Sequence, residues 1–208
     1  LFLIFLSLIV TLFSSFFAKL MALGFDDALI QEASVFVAIN FYYLPLIFCV
    51  TFLSALLQYK NHFATTAFAT ALLNIALILA LLLTKNSDKK TIVYAMSYGV
   101  LVGGFLQIIA HLLAAKSKNV LKIFAYGFTC KQAIKPELKK DEKNFFTSFS
   151  HAILGNSTPQ ISAFLDTWIA SFLSAGSISY LYYANRVFQL PLALFAIALS
   201  IGIFPRVT

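Results

Sequence analysis

Six long apolar runs, separated by short polar stretches, divide the chain at about residues 1–22, 35–57, 63–84, 91–114, 146–173 and 178–203. Each reaches the roughly 20 residues that carry a helix across a bilayer's hydrocarbon core. Lipid offers no partner to an unpaired backbone group, so runs of this length predict helices and an all-α bundle. Gly24-Phe25-Asp26-Asp27 follows the first run, and the segment through Glu32 is expected to lie along the interface. Gln58 to His62, Lys85 to Lys90 and Ser174-Ala175-Gly176-Ser177 predict tight turns, the last with the small residues a helical hairpin needs.

Composition sharpens the class. Of 208 residues, 61% are hydrophobic and 11% charged, and the mean hydropathy is +0.89. Soluble domains keep about 25% charged residues, so this is a multi-pass membrane protein. Cys49 and Cys130 form no CxxC or zinc spacing, so no disulfide or metal framework is implied. The chain begins inside an apolar run without a signal-peptide pattern, as expected of an internal piece of something longer. No nucleophile–base pairing or phosphate loop is visible, so neither an enzyme nor a nucleic-acid partner is expected.

Between residues 116 and 144 the pattern changes. Eight lysines (116, 118, 122, 131, 135, 139, 140 and 143) stand against Glu137, Asp141 and Glu142. Such a loop is expected on the cytoplasmic side. Six spans then put both ends of the chain inside, with Arg206 in agreement and the acidic Asp26–Glu32 stretch outside. The three lysines of Lys85–Lys90 dissent. The loop splits the helices four and two, either as a connector between moving bundles or as a solvated, lipid-headgroup-binding loop.

Two ionisable residues, Asp166 and Arg186, lie well inside spans. Each is costly at a helix centre, about 2.5–3.5 kcal/mol on insertion scales. Both fall roughly ten residues from the 174–177 turn, hence about 15 Å deep at 1.5 Å per residue. They could neutralise one another, or line an aqueous cavity separately. Ser179, Tyr182 or Tyr183, Arg186 and Gln189 share one helix face; Gly155, Pro159, Ser162 and Asp166 share another. Two such stripes favour a cavity. A permanently charged guanidinium forms paired hydrogen bonds to phosphate oxygens, so Arg186 points to an anionic, phosphate-bearing substrate. Asp166 is a candidate cation or proton carrier.

Other features say less. His62, Thr66, Thr70 and Asn74 form a stripe expected to bond neighbouring helices. Gly99, Gly103 and Gly104 signal close helix packing. Pro45 and Pro191 are expected kink points, Pro159 a break. His62, His111 and His151 are expected at the cytoplasmic interface.

Several segments resemble the MurJ/MviN lipid II flippases of the MOP exporter superfamily. Tyr182-Tyr183-Ala184-Asn185-Arg186, Gln189-Leu190-Pro191, Ala198-Leu199-Ser200 and Phe204-Pro205-Arg206 match its tyrosine–arginine motif and the run after it. Phe68 to Ile75, Val102 to Gln107, Gln160-Ile161-Ser162 and Ala170 to Leu173 extend the likeness over nearly the whole chain. The resemblance implies helices three to eight of a fourteen-helix, two-lobe fold. Residues 1–115 would hold four N-lobe helices, 116–144 the cytoplasmic connector, and 145–208 two C-lobe helices. It implies a transporter of the bacterial cytoplasmic (inner) membrane that moves lipid II outward by alternating access for cell-wall synthesis. Arg186, Asn185, Tyr182, Tyr183 and Gln189 would meet the substrate, and Asp166 would bind sodium as a coupling ion, with no other cofactor. Beyond lipid II and the bilayer, cell-wall synthesis or division proteins are candidate partners. A flippase for another polyprenyl-diphosphate glycan, or a scaffold for cell-wall enzymes, are the alternative readings.

Overall fold

The computed structural model describes residues 2–122 and 136–191, without the side chains of 136–143. Among these residues the fold is all helix: α1 (Phe2–Leu12), α2 (Ser14–Met21), α3 (Asp27–Phe41), α4 (Tyr43–Tyr59), α5 (Ala64–Thr84), α6 (Lys89–Ser117), α7 (Pro136–Ala170) and α8 (Ser177–Pro191). It forms two compact units. One comprises 1–18 and 31–139; the other comprises 19–30 and 140–208.

In the first unit, α6 packs along both α5 and α4. Its glycines make this possible. A methyl group at Gly103 would stand 2.6 Å from Leu73 Cδ1 on α5, and one at Gly99 3.1 Å from Ala80 Cβ. Gly104 faces α4 instead, with Leu46 Cδ1 2.9 Å from the same hypothetical position. Small residues let backbones approach where no hydrophobic effect drives helices together. Leu57, Ala115 and Val120 are fully buried at one end of this packing. The outer faces stay apolar, as in Ile78, Leu82 and Leu83 of α5 and Phe105, Ile109 and Leu113 of α6, all exposed. Such surfaces suit lipid rather than water.

The expected spans at 35–57, 63–84 and 91–114 correspond to helical runs of membrane-crossing length. The span drawn at 35–57 is a longer run, Asp27–Tyr59, because Asp26 caps α3 by accepting from Leu29 N–H at 2.8 Å. The segment expected along the interface is therefore the start of that helix. Pro45 lies in the first turn of α4, and the helix is interrupted at Tyr42. A proline at 45 leaves the Phe41 carbonyl without its helical donor. Ser7 of α1 lies fully buried with its Oγ 3.5 Å from that oxygen.

The first expected span, 1–22, bends by 84° between α1 and α2. The break falls at Phe13, beside the Ser14-Ser15 pair, a recurrent kind of kink site. Pro159 breaks nothing: α7 runs through it as one helix. Among the described residues, three helical runs are long and apolar enough to cross a membrane, and a fourth if the bent pair is one span. The long α7 fails on composition, because Asn156, Ser157, Thr158, Gln160, Ser162, Asp166 and Thr167 interrupt its apolar residues. The rest of the 178–203 span, the second half of the family-like motif, and Lys131 and Lys135 of the basic loop lie outside the described residues.

The turns come where expected. Asn61 takes φ +57°, with Asn61 N–H donating to Gln58 O and His62 N–H to Leu57 O. This left-handed cap closes α4 with the paired bonds of a Schellman motif. Gly176, at φ +93°, turns the chain from α7 to α8.

Candidate functional site

The second unit carries a pocket of about 240 Å³ between α7 and α8, with polar side chains set among Ala163, Ile178 and Leu181. Asp166 and Thr167 contribute from α7; Tyr182, Asn185, Arg186 and Gln189 contribute from α8. Steps of three and four along α8 put those four side chains on one face. Arg186 Nη2 donates to the Tyr182 hydroxyl at 2.8 Å, and its Cζ lies 4.9 Å from the Tyr182 ring centroid. The guanidinium is thus held by one side chain one turn back, and its remaining N–H groups have no protein acceptor among the described residues.

Asp166 and Arg186 share the pocket without pairing: the only ion pair among the described residues is Lys90–Glu32, at 3.3 Å. Asp166 is half-buried, and the Asn185 and Gln189 amides line the same space. Oxygen donors of this kind suit a hard cation such as sodium. The described residues hold no group of three or more His, Cys, Asp or Glu side chains placed to hold a metal ion. An arginine and a carboxylate in one pocket can serve an anion and a cation at different atoms.

Not every residue of the expected stripes takes part. Tyr183 is exposed and packs edge-on against Tyr182, with centroids 6.0 Å apart, outside the pocket lining. Ser179, Gly155, Pro159 and Ser162 are likewise absent from the lining. Thr167, next to Asp166, was not singled out by the sequence; its hydroxyl donates to Ala163 O at 2.9 Å.

The first unit has a separate recess of about 400 Å³, lined in part by Thr51, Ser54, Gln58, Thr66, Thr70 and Gln107. Thr66 and Thr70 of the α5 stripe therefore face a cavity, and the buried Thr66 Oγ1 has no partner among the described residues. His111 corrects an expectation. It is fully buried rather than interfacial, with Nε2 2.8 Å from Ser54 Oγ and Nδ1 2.7 Å from Gln107 O. Gln107 in turn donates to Ala69 O at 2.7 Å and accepts from the Tyr43 hydroxyl at 3.1 Å. These bonds tie α4, α5 and α6 together through polar groups that lipid could not satisfy.

Comparison with known proteins places this geometry in a family. The family model described as lipid II flippase MurJ matches residues 1–208. A probable lipid II flippase MurJ of Helicobacter pylori (strain ATCC 700392 / 26695) is 49% identical over 208 residues, covering 96% of this chain and 45% of the relative. A probable lipid II flippase MurJ of Aquifex aeolicus is 33% identical over 165 residues, covering 79% and 30%. The lipid II flippase MurJ of Burkholderia cenocepacia is 30% identical over 193 residues, covering 92% and 36%. The chain thus spans less than half the length of these relatives. Matched by the family model from end to end, it belongs to the lipid II flippase MurJ family.

Proposed function

We propose that the full-length protein is a transporter that moves lipid II from the cytoplasmic to the outer leaflet of the bacterial inner membrane, by alternating access, for peptidoglycan synthesis. The observation that carries this reading is Arg186, held by Tyr182 in a pocket with no other protein acceptor for its guanidinium among the described residues, in a chain of this family. A diphosphate is the group such a cation recognises best within a membrane. Asn185 and Gln189 offer amide donors and acceptors to the sugars. Tyr182 orients the arginine, and Tyr183, beside it, meets the substrate from outside the pocket. Asp166 binds the coupling sodium ion. The relatives are named as lipid II flippases, which gives no support to another glycan or to a scaffold.

Depletion of the native flippase tests this reading. The full-length gene carrying Arg186→Ala, Arg186→Lys or Asp166→Asn is expressed at matched membrane levels, and growth and lipid II translocation are followed. Both arginine variants should fail, since lysine cannot form the paired bonds, and Asp166→Asn should change the dependence on sodium. Full rescue by all three would remove the pocket from the mechanism.

A further inference from the structure

Helices α4 and α5 each pack along α6 with little contact between themselves, so a groove opens between them with α6 as its floor. This groove is the first unit's recess of about 400 Å³. Thr51, Ser54 and Gln58 stand on its α4 wall, Thr66 and Thr70 on its α5 wall, and Gln107 on its floor. None of the residues lining it is ionisable. Thr70 lies about 9 Å from the start of α5 at 1.5 Å per residue, so the groove sits close to the turn at Gln58–His62.

Thr66 is the informative residue. A threonine inside a helix can return its hydroxyl to the carbonyl four residues back, as Thr11 does to Ser7 and Thr84 to Ala80. Thr66 stands in the first turn of α5, and the residue four back, His62, precedes the helix. Its buried Oγ1 is left without a partner among the described residues. Two neighbours have hydrogen-bonding capacity to spare. With His111 Nδ1 donating to the Gln107 carbonyl, Ser54 gives its hydrogen to Nε2 and keeps lone pairs to offer. Gln107 spends one amide hydrogen on Ala69 O and has a second.

We propose that the groove is a water site, in which a small cluster of ordered waters bonds Thr66, Ser54 and Gln107 and joins α4 to α5 in place of direct packing. The lining selects this ligand. An ion would find no opposite charge there, and an acyl chain would leave the hydroxyls unpaired, at a cost. A water takes about 30 Å³ in the liquid, and a buried one makes about three hydrogen bonds. The recess has room for several, and its walls supply both donors and acceptors. The two helices are then held by exchangeable bonds rather than by interlocked side chains.

The test is oxidative footprinting of the full-length protein in liposomes that contain no lipid-linked substrate. A brief X-ray pulse turns water into hydroxyl radicals, which oxidise the side chains beside it, and mass spectrometry locates the products. Ile47 and Val50 line the groove, whereas Ile78 and Leu82 lie on the exposed apolar face of α5. Oxidation is expected at Ile47 and Val50, with Ile78 and Leu82 near background. Thr66→Val combined with Thr70→Val keeps the shape of the wall and removes two hydroxyls, so oxidation at Ile47 and Val50 should fall toward the Ile78 level. Thr66→Val alone, with a smaller fall, decides the matter if the double variant fails to reach the membrane. Parent protein no more oxidised at Ile47 and Val50 than at Ile78 and Leu82 would overturn the proposal, since acyl chains or another part of the full-length protein would then fill the groove. Oxidation unchanged by loss of the hydroxyls would overturn it too. No substrate is present, so a failure of the lipid II reading would leave this result as it stands.

Discussion

Arg186 and Tyr182 stand one helical turn apart on α8, with the guanidinium donating to the phenol oxygen at 2.8 Å while its Cζ lies 4.9 Å from the same ring. The tyrosine therefore holds the arginine in two ways, through an acceptor oxygen and through the π face. Neither uses a negative charge, so the full positive charge stays available to a ligand. A carboxylate in the same place would have neutralised it.

Separating the two contributions is direct. Tyr182→Phe keeps the ring and loses the oxygen; Tyr182→Ala loses both. A hydrogen bond with a charged partner contributes about 1.5–3 kcal/mol when buried, and less at this exposed position. Tyr182→Phe should lower translocation by a few-fold, and Tyr182→Ala should approach the Arg186→Ala defect. Equal, wild-type rates for both would show that the arginine needs no support from Tyr182.

The glycines of α6 make a graded prediction about stability. A side chain at Gly103 meets Leu73 Cα at 3.1 Å as well as its Cδ1, so moving the leucine tip alone gives no room. Gly103→Val should destabilise the full-length protein in detergent by about 1–3 kcal/mol, the usual range for overpacking. Gly99→Ala meets a single methyl at 3.1 Å and should cost less. Thermal unfolding of purified variants checks the order; a Gly99→Ala defect larger than that of Gly103→Val would contradict the packing described.

Much of this was legible in the sequence, because lipid simplifies the problem. Apolar run length gives span positions, and Gly99-xxx-Gly103 gives a packing seam. Asp166 and Arg186 were visible because charges inside a membrane are rare. Periodicity places residues on a face but not at a height or distance. It grouped Ser179 with Arg186, although the pocket is lined by Ile178 and Leu181 alongside the polar set. It also could not tell a histidine near a helix end from one inside the bundle. His111 is buried because Ser54, on another helix, reaches it, and no local pattern encodes that pairing. The bend at Phe13 was hidden for a similar reason, since an unbroken apolar run carries no signal of direction.

The cap of α6 makes a prediction about pH. Asp88 is fully exposed, and its carboxyl titrates below the ordinary value because the Thr91 hydroxyl, and then the Thr91 backbone N–H, donate to it. A depressed folded-state value means that the cap's contribution is fully present above the unfolded-state pKa and is lost as pH falls through the folded one. Amide exchange in the first turn of α6 should therefore become faster, relative to its intrinsic rate, as pH drops from near 4 downward, the ordinary aspartate range. Asp88→Ala should give the unprotected behaviour at every pH. If exchange in that turn is insensitive to acid in the parent protein, the cap does not hold it.

The bonds around Gln107 and His111 make the last prediction, which concerns which nitrogen of His111 carries its proton. The Gln107 carbonyl can only accept, so His111 Nδ1 must be the donor at 2.7 Å. His111 Nε2 then has a lone pair, and the Ser54 hydroxyl donates to it at 2.8 Å. Nitrogen NMR of selectively labelled full-length protein should report the Nδ1–H tautomer. Ser54→Ala should move the Nε2 resonance and leave Nδ1 nearly unchanged. On the other side of the same network, Gln107→Leu and Tyr43→Phe remove the two ends of one bond. Their double-mutant cycle should give a coupling of about 0.6 kcal/mol, the average for hydrogen bonds between membrane helices, and no more than about 1.7 kcal/mol, the largest found. An Nε2–H tautomer would reverse the direction of the Ser54 bond. Additive stabilities for Gln107→Leu and Tyr43→Phe would mean that the Tyr43–Gln107 bond does not help hold α4 to α6.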